Sequence, residues 1–154
     1  MTEAEQLARD RHWLQVAIDL SRRCVPSRTA FSVGALIVDV NGNLLADGHS
    51  RETDLLVHAE ESAIAKLESR GLGLGQATIY SSLEPCGVRR SRPRACADLI
   101  LAAGIGRVVF ALREPTLFAE GRGAERLMAA GVEVTELADL ADQVRAINAH
   151  LGVT

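Results

Sequence analysis

Four residues carry the chemistry open to this sequence: His58, Glu60, Cys86 and Cys96. One imidazole and two thiols make a three-ligand set for Zn²⁺, and catalytic zinc keeps a further position open for water. Two thiolates and a neutral imidazole balance the charge of the ion. Glu60 stands outside that set and is then the group that moves protons, because a carboxylate beside a metal can accept, hold and release one. Zinc would lower the pKa of its water toward neutrality and supply a hydroxide nucleophile. That nucleophile would add to a ring carbon bearing an exocyclic amine. Glu60 would pass the proton to a ring nitrogen and then help protonate the departing ammonia. The net reaction is hydrolytic deamination.

Each residue also has a blander reading. A His-x-Glu pair alone is common, and Cys24 fits a small core residue. A structural zinc site normally takes four protein ligands. His12, His49, His150 and Cys24 are what remain, and none has tight ligand spacing to the trio. A zinc-stabilised interaction module, with no catalysis, is the alternative from a different class. It predicts a closed fourth coordination position and no role for Glu60.

The elements that must position these groups follow from the pattern. Residues two apart face different sides of a helix interior, so His58 and Glu60 can share a site only at a helix end. The sequence predicts a helix over 58–70, which puts both in its first turn. Cys86 and Cys96 fall at the start of the next helical region, expected over 95–103, where the helix N-terminus favours thiolates. Upstream, 3–24 reads as a helix and 32–40 as a strand with a nearly continuous apolar run, as expected where both faces are covered. Asn41-Gly42 signals a tight turn and an antiparallel return over 43–48. Later strands are expected at 77–81, 106–111 and 131–135, a turn at 120–123, and helices at 124–130 and 137–151. Strands alternating with helices imply parallel pairing after residue 50. The α/β fold expected is a mixed sheet of about five strands between helical layers.

The 154 residues fit one domain, 1–154, with 47% hydrophobic and 24% charged residues. A net charge of −3 and 3% aromatic residues argue against nucleic acid as the partner, since such proteins need a cationic track and stacking surfaces. No apolar run is long enough for a membrane span. The acidic N-terminus lacks the basic start and apolar middle of a signal peptide, so a cytoplasmic location is expected. In that compartment the three cysteines are thiols or metal ligands rather than disulfides.

A His-x-Glu followed by Pro-Cys and a second cysteine is the signature of zinc deaminases, which space the cysteines as Cys-x-x-Cys. Here nine residues, Gly87 to Ala95, separate them. The chain resembles the cytidine deaminase superfamily, and within it the deaminase domain of bifunctional riboflavin-biosynthesis deaminase-reductases. Val33-Gly-Ala-Leu-Ile-Val38, Gly48-His49, His58-Ala-Glu60, Ser82-Leu-Glu-Pro-Cys86 and Ala95-Cys96-Ala-Asp98 carry the resemblance. Glu114-Pro115 through Gly121-Arg-Gly123 to Ala130-Gly-Val-Glu-Val134 extends it. The resemblance implies zinc, a three-layer α/β/α sandwich, and a homodimer or larger assembly. It also implies a diaminopyrimidinone ribosylamino 5′-phosphate as substrate. The family's Asn-Pro pair before the first strand is replaced by Thr29-Ala-Phe-Ser32, closer to cytidine deaminases. That keeps cytosine, cytidine-type nucleosides or nucleotides, guanine and secondary-metabolite bases as alternative substrates. The reductase domain has no counterpart in 1–154.

Substrate contacts are expected from Phe31, His49 and Ala59. Arg89, Arg90, Arg92 and Arg94 crowd into the loop between the cysteines, where guanidinium forks suit a phosphate; the bland reading is a solvated loop.

Overall fold

Thr2 begins the first helix by accepting the Glu5 N–H on its hydroxyl at 3.1 Å. In the computed structural model, which describes residues 1–89, 92–115 and 122–152, α1 then runs Glu3–Ser21. It stops three residues short of the expected end, as Arg22, Arg23 and Cys24 close in turns onto Asp19, Leu20 and Ser21. The following strands are β1 (Gly34–Val38) and β2 (Leu44–His49), joined by a turn in which Asp39 accepts the N–H groups of Asn41 and Asn43. Then come α2 (Ala59–Ala65), β3 (Thr78–Leu83), α3 (Cys96–Ala103), β4 (Arg107–Leu112), α4 (Gly123–Ala129), β5 (Glu133–Glu136) and α5 (Ala141–Ile147). The helix expected over 58–70 is shorter than its pattern, ending in a 3₁₀ turn at Glu68–Arg70 before a left-handed Gly71. The expected 137–151 helix is divided in the same way by 3₁₀ turns on either side of α5. Of the expected 120–123 turn, Glu120 and Gly121 lie outside the described residues, and Gly123 starts α4.

The five strands form one sheet in the order β2-β1-β3-β4-β5. β1 pairs antiparallel with both β2 and β3, whereas β3, β4 and β5 run parallel. This is the mixed sheet read from the sequence. Alternate side chains go to opposite layers. Leu36, Val38, Tyr80 and Val109 pack with Leu14 and Ile18 of α1 and Val144 of α5. Ile37, Ile79, Val108 and Phe110 pack with Ala63, Ile100 and Leu127 of α2, α3 and α4. All five residues of β1 are buried, which explains its unbroken apolar run. Trp13 packs half-buried against the α1 side of the core.

One charged group is sealed into the α1 side. Asp10, 2% exposed, accepts two hydrogen bonds from Arg107 at 2.7 and 2.6 Å and one from the Tyr80 hydroxyl at 2.8 Å. Burial alone would raise the Asp10 carboxyl, but these hydrogen bonds win and hold it below the usual carboxylate range. A depressed carboxyl stabilises the fold above its unfolded pKa, and that contribution is lost as pH falls through the folded value. Asp10→Asn leaves Arg107 with only the exposed Glu133 as its charge partner and is expected to cost about 3 kcal/mol at neutral pH. Urea unfolding as a function of pH checks it: the difference from wild type should shrink toward acid.

Candidate active site and metal centre

The site sits where three segments meet beyond the ends of the central strands. Gly48 on β2 lets α2 come close, since any side chain there would run into the Ala59 carbonyl. His58 is the extended N-cap of α2, and Glu61 one turn in accepts the His58 N–H at 3.2 Å. This capping fixes the first turn, and His58 and Glu60 share a site for the reason anticipated: the helix interior has not yet begun. Gly123 does similar work for the other segment, because a side chain there would strike the Pro85 carbonyl. Glu84 then anchors the bend. Its two oxygens accept the backbone N–H groups of Glu114 and Ala124, each at 2.9 Å.

Cys96 is the first residue of α3. Cys86 is not in a helix; it lies in the bend after β3, and the N-terminus of α3 comes to it. The Cys96 N–H donates to the Cys86 sulfur at 3.2 Å, and the Ala97 N–H to the Cys86 carbonyl at 3.1 Å. Asp98 caps this helix by accepting the Ala95 N–H.

These elements bring His58 Nδ1 to 3.3 Å from Cys96 Sγ and 3.7 Å from Cys86 Sγ. All three ligand atoms lie within 4.8 Å of one another, and both sulfurs are buried. Tetrahedral zinc with bonds of about 2.0 Å to nitrogen and 2.3 Å to sulfur holds N and S about 3.5 Å apart, so the donor set fits the ion without rearrangement. Among the described residues no fourth His, Cys, Asp or Glu joins this metal-ligating group. As thiols alone, the cysteines share one proton. The hydrogen bond from Cys96 pulls Cys86 down against the effect of burial, while that same hydrogen bond and burial raise Cys96.

Glu60, 4% exposed, accepts from Ser81 Oγ at 3.2 Å. Burial raises its carboxyl above the ordinary value, and the neighbouring Cys86 adds to the rise. A carboxyl placed this way can hold a proton as well as accept one.

A cavity of about 280 Å³ opens beside His58, Glu60 and Cys86. Of the sequence-derived substrate candidates, Phe31 and Arg89 line it. His49 does not; its Nδ1 sits 3.2 Å from the Ser50 carbonyl and 3.9 Å from Cys24 Sγ. Ala59 is packed in the α1 side of the core. Arg92 and Arg94 are also outside the lining. Arg92 pairs with Asp54 at 2.6 Å and lies 3.5 Å from Glu61, and Arg94 reaches the Asp98 carbonyl. Arg90 lies outside the described residues.

The sequence reading missed Arg51 and Glu114, both in the wall. Glu114 Oε2 is buried without a hydrogen-bond partner, and burial, then the charges of Cys86, Glu60 and Glu84, push the carboxyl up to about 9. No periodic signal marks either residue. The wall segment before β1 is held from the far end of the chain: Asn148 accepts the Ser32 N–H at 2.7 Å and donates to the Ser32 carbonyl at 3.2 Å.

Residues 7–112 match the family described as the cytidine and deoxycytidylate deaminase zinc-binding region. Over 122 residues, 78% of this chain and 30% of the relative, it is 39% identical to a diaminohydroxyphosphoribosylamino-pyrimidine deaminase of Schizosaccharomyces pombe. It is 36% identical over 105 residues to the riboflavin biosynthesis protein RibD of Escherichia coli, covering 68% of this chain and 27% of that one. Among solved structures, the deaminase/reductase of Thermotoga maritima superposes with a TM-score of 0.77 at 30% identity, over 91% of this chain and 39% of that one. The chain thus spans about a third of the length of the curated relatives it matches.

Proposed function

The chain belongs to the cytidine and deoxycytidylate deaminase zinc-binding family, and from that premise we propose that it hydrolyses an exocyclic amine from a diaminopyrimidinone ribosylamino 5′-phosphate. The observation that carries the chemistry is the buried Glu60 carboxyl in the wall of the same cavity as His58 and Cys86. His58, Cys86 and Cys96 would hold zinc, which would supply a Lewis acid that makes water nucleophilic near neutral pH. Glu60 takes a proton from the attacking water, gives it to a ring nitrogen, and then assists protonation of the leaving amine, so that water and amine become carbonyl and ammonia. Ser81 orients Glu60 through its hydroxyl. Phe31 supplies an apolar face for the ring and Arg89 a polar edge, both from the lining.

The names of the relatives support this substrate over the other bases of the family. A second reading, a cytosine- or cytidine-type substrate, draws on Thr29-Ala-Phe-Ser32, since Thr29, Ala30 and Phe31 are all in the wall. Ammonia release by zinc-loaded protein, from a panel of both substrate types, tests the reading. Release from the ribosylamino pyrimidine phosphate alone is expected; turnover of cytidine or deoxycytidylate alone overturns the assignment. We place the protein in the cytoplasm, as a dimer or larger homo-oligomer. Three free cysteines agree with a reducing compartment. No described helix is long and apolar enough to cross a membrane.

A further inference from the structure

Among the described residues two arginines line the cavity, Arg51 and Arg89. They differ in what balances their charge. Arg89 lies against Glu61 at 3.0 Å with its side chain 2% exposed, so a protein carboxylate answers it. Every partner of Arg51 is neutral. Its Nε and Nη2 donate to the Val25 carbonyl at 2.9 and 2.7 Å, Nη1 to the Phe31 carbonyl at 3.1 Å, and Nη2 also to Ser32 Oγ at 2.9 Å. A guanidinium has five N–H donors, so one on Nη1 remains. Among the described residues no carboxylate pairs with Arg51.

Two further observations set this arginine apart. Its backbone is left-handed, with φ of 60°, a conformation that costs about 1 kcal/mol or more for a residue with a side chain. The four hydrogen bonds to the 25–32 segment pin the guanidinium, so it meets a ligand without first losing rotamer freedom. Partial burial also pulls its pKa down, with the nearby Cys24 opposing that shift.

The cavity is electrically divided. Glu60 is held by Ser81 and Glu84 by the Glu114 N–H, whereas Arg51 is fastened to the 25–32 segment. The carboxyls and thiols cluster at one part of the wall, and an anion there would meet like charge. Arg51 marks the part where an anion is favoured. A substrate carrying an amine at one end and a phosphate at the other matches that division.

We propose that Arg51 is the specificity-determining contact for the phosphate of a phosphorylated substrate, engaging it through the remaining N–H and a charge that no protein carboxylate offsets. This rests on the deaminase reading above. It moves phosphate selection from Arg89, Arg92 and Arg94 to the loop that precedes the metal-binding helix.

The test compares the ribosylamino pyrimidine with and without its 5′-phosphate, using zinc-loaded wild type, Arg51→Lys and Arg51→Gln. Wild type should prefer the phosphorylated form in kcat/KM by about 10²-fold. Arg51→Gln should lose most of that preference through KM, and Arg51→Lys should keep part of it. A role confined to clamping the wall lowers both substrates equally, and that result overturns the proposal, as does a wild type with no preference. Binding of ribose 5-phosphate to wild type and Arg51→Gln, followed by calorimetry, is independent of turnover. Loss of that binding in the variant supports the contact, and equal binding overturns it. If wild type releases no ammonia from either form, the deaminase reading fails, and calorimetry still decides the role of Arg51.

Discussion

Replacing Glu60 with glutamine is expected to lower kcat by about 10³-fold while leaving bound zinc unchanged. The substitution is nearly isosteric, and Ser81 can still hydrogen-bond the side-chain oxygen it now meets at 3.2 Å. What disappears is the site that accepts a proton. Glu60 is not one of the three grouped ligands, so metal analysis should give the same content for variant and wild type. The pH profile adds a second reading. The ionised form is needed to take a proton from water, so wild-type kcat/KM should fall toward acid as the carboxyl becomes protonated. That limb should be absent from residual Glu60→Gln activity. A variant as active as wild type would sink the proton-transfer role.

Loss of a metal ligand should be as severe for a different reason. Cys96→Ala removes a fully buried sulfur that lies 3.3 Å from His58 Nδ1 and donates to Cys86. Changes outside the ligand shell of a zinc site cost roughly 10–100-fold in affinity, so removing a ligand itself is expected to cost about 10³-fold or more. The variant should purify with little zinc and no ammonia release. Binding that favours the folded state also stabilises it. Wild type treated with a chelator should therefore melt lower than the zinc-loaded protein, while Cys96→Ala should respond little to either zinc or chelator. An undiminished zinc content in Cys96→Ala would remove it from the ligand set.

The reach of the sequence can be judged residue by residue. The strand and helix alternation was legible because burial on both faces of β1, β3 and β4 leaves long apolar runs, and the Asn41-Gly42 turn fixed the antiparallel start. The ligand trio was legible because imidazole and thiol are rare outside chemistry at such positions. The cavity wall was not. Arg51, Glu114 and Ser50 come from segments without periodicity, and what places them is long-range: Glu84 across 30 positions to Glu114, Asn148 across 116 to Ser32. The arginines show the same limit. Counting charges between Cys86 and Cys96 cannot reveal that Asp54 and Glu61, from other segments, answer Arg92. Cys86 and Cys96 were both expected at the start of a helical region; in the fold only Cys96 begins a helix, and that helix end approaches the bend that holds Cys86.

Asn148 finally bears on how this domain can be cut and joined to others. Its amide occupies both backbone groups of Ser32, as a neighbouring strand would, although it follows the last residue of α5. The sheet and the metal ligands are complete well before that point, at Glu136 and Cys96. A junction placed just after β5 would remove both α5, whose Val144 packs in the core, and the tether of the substrate wall, whereas one placed beyond residue 148 would preserve both.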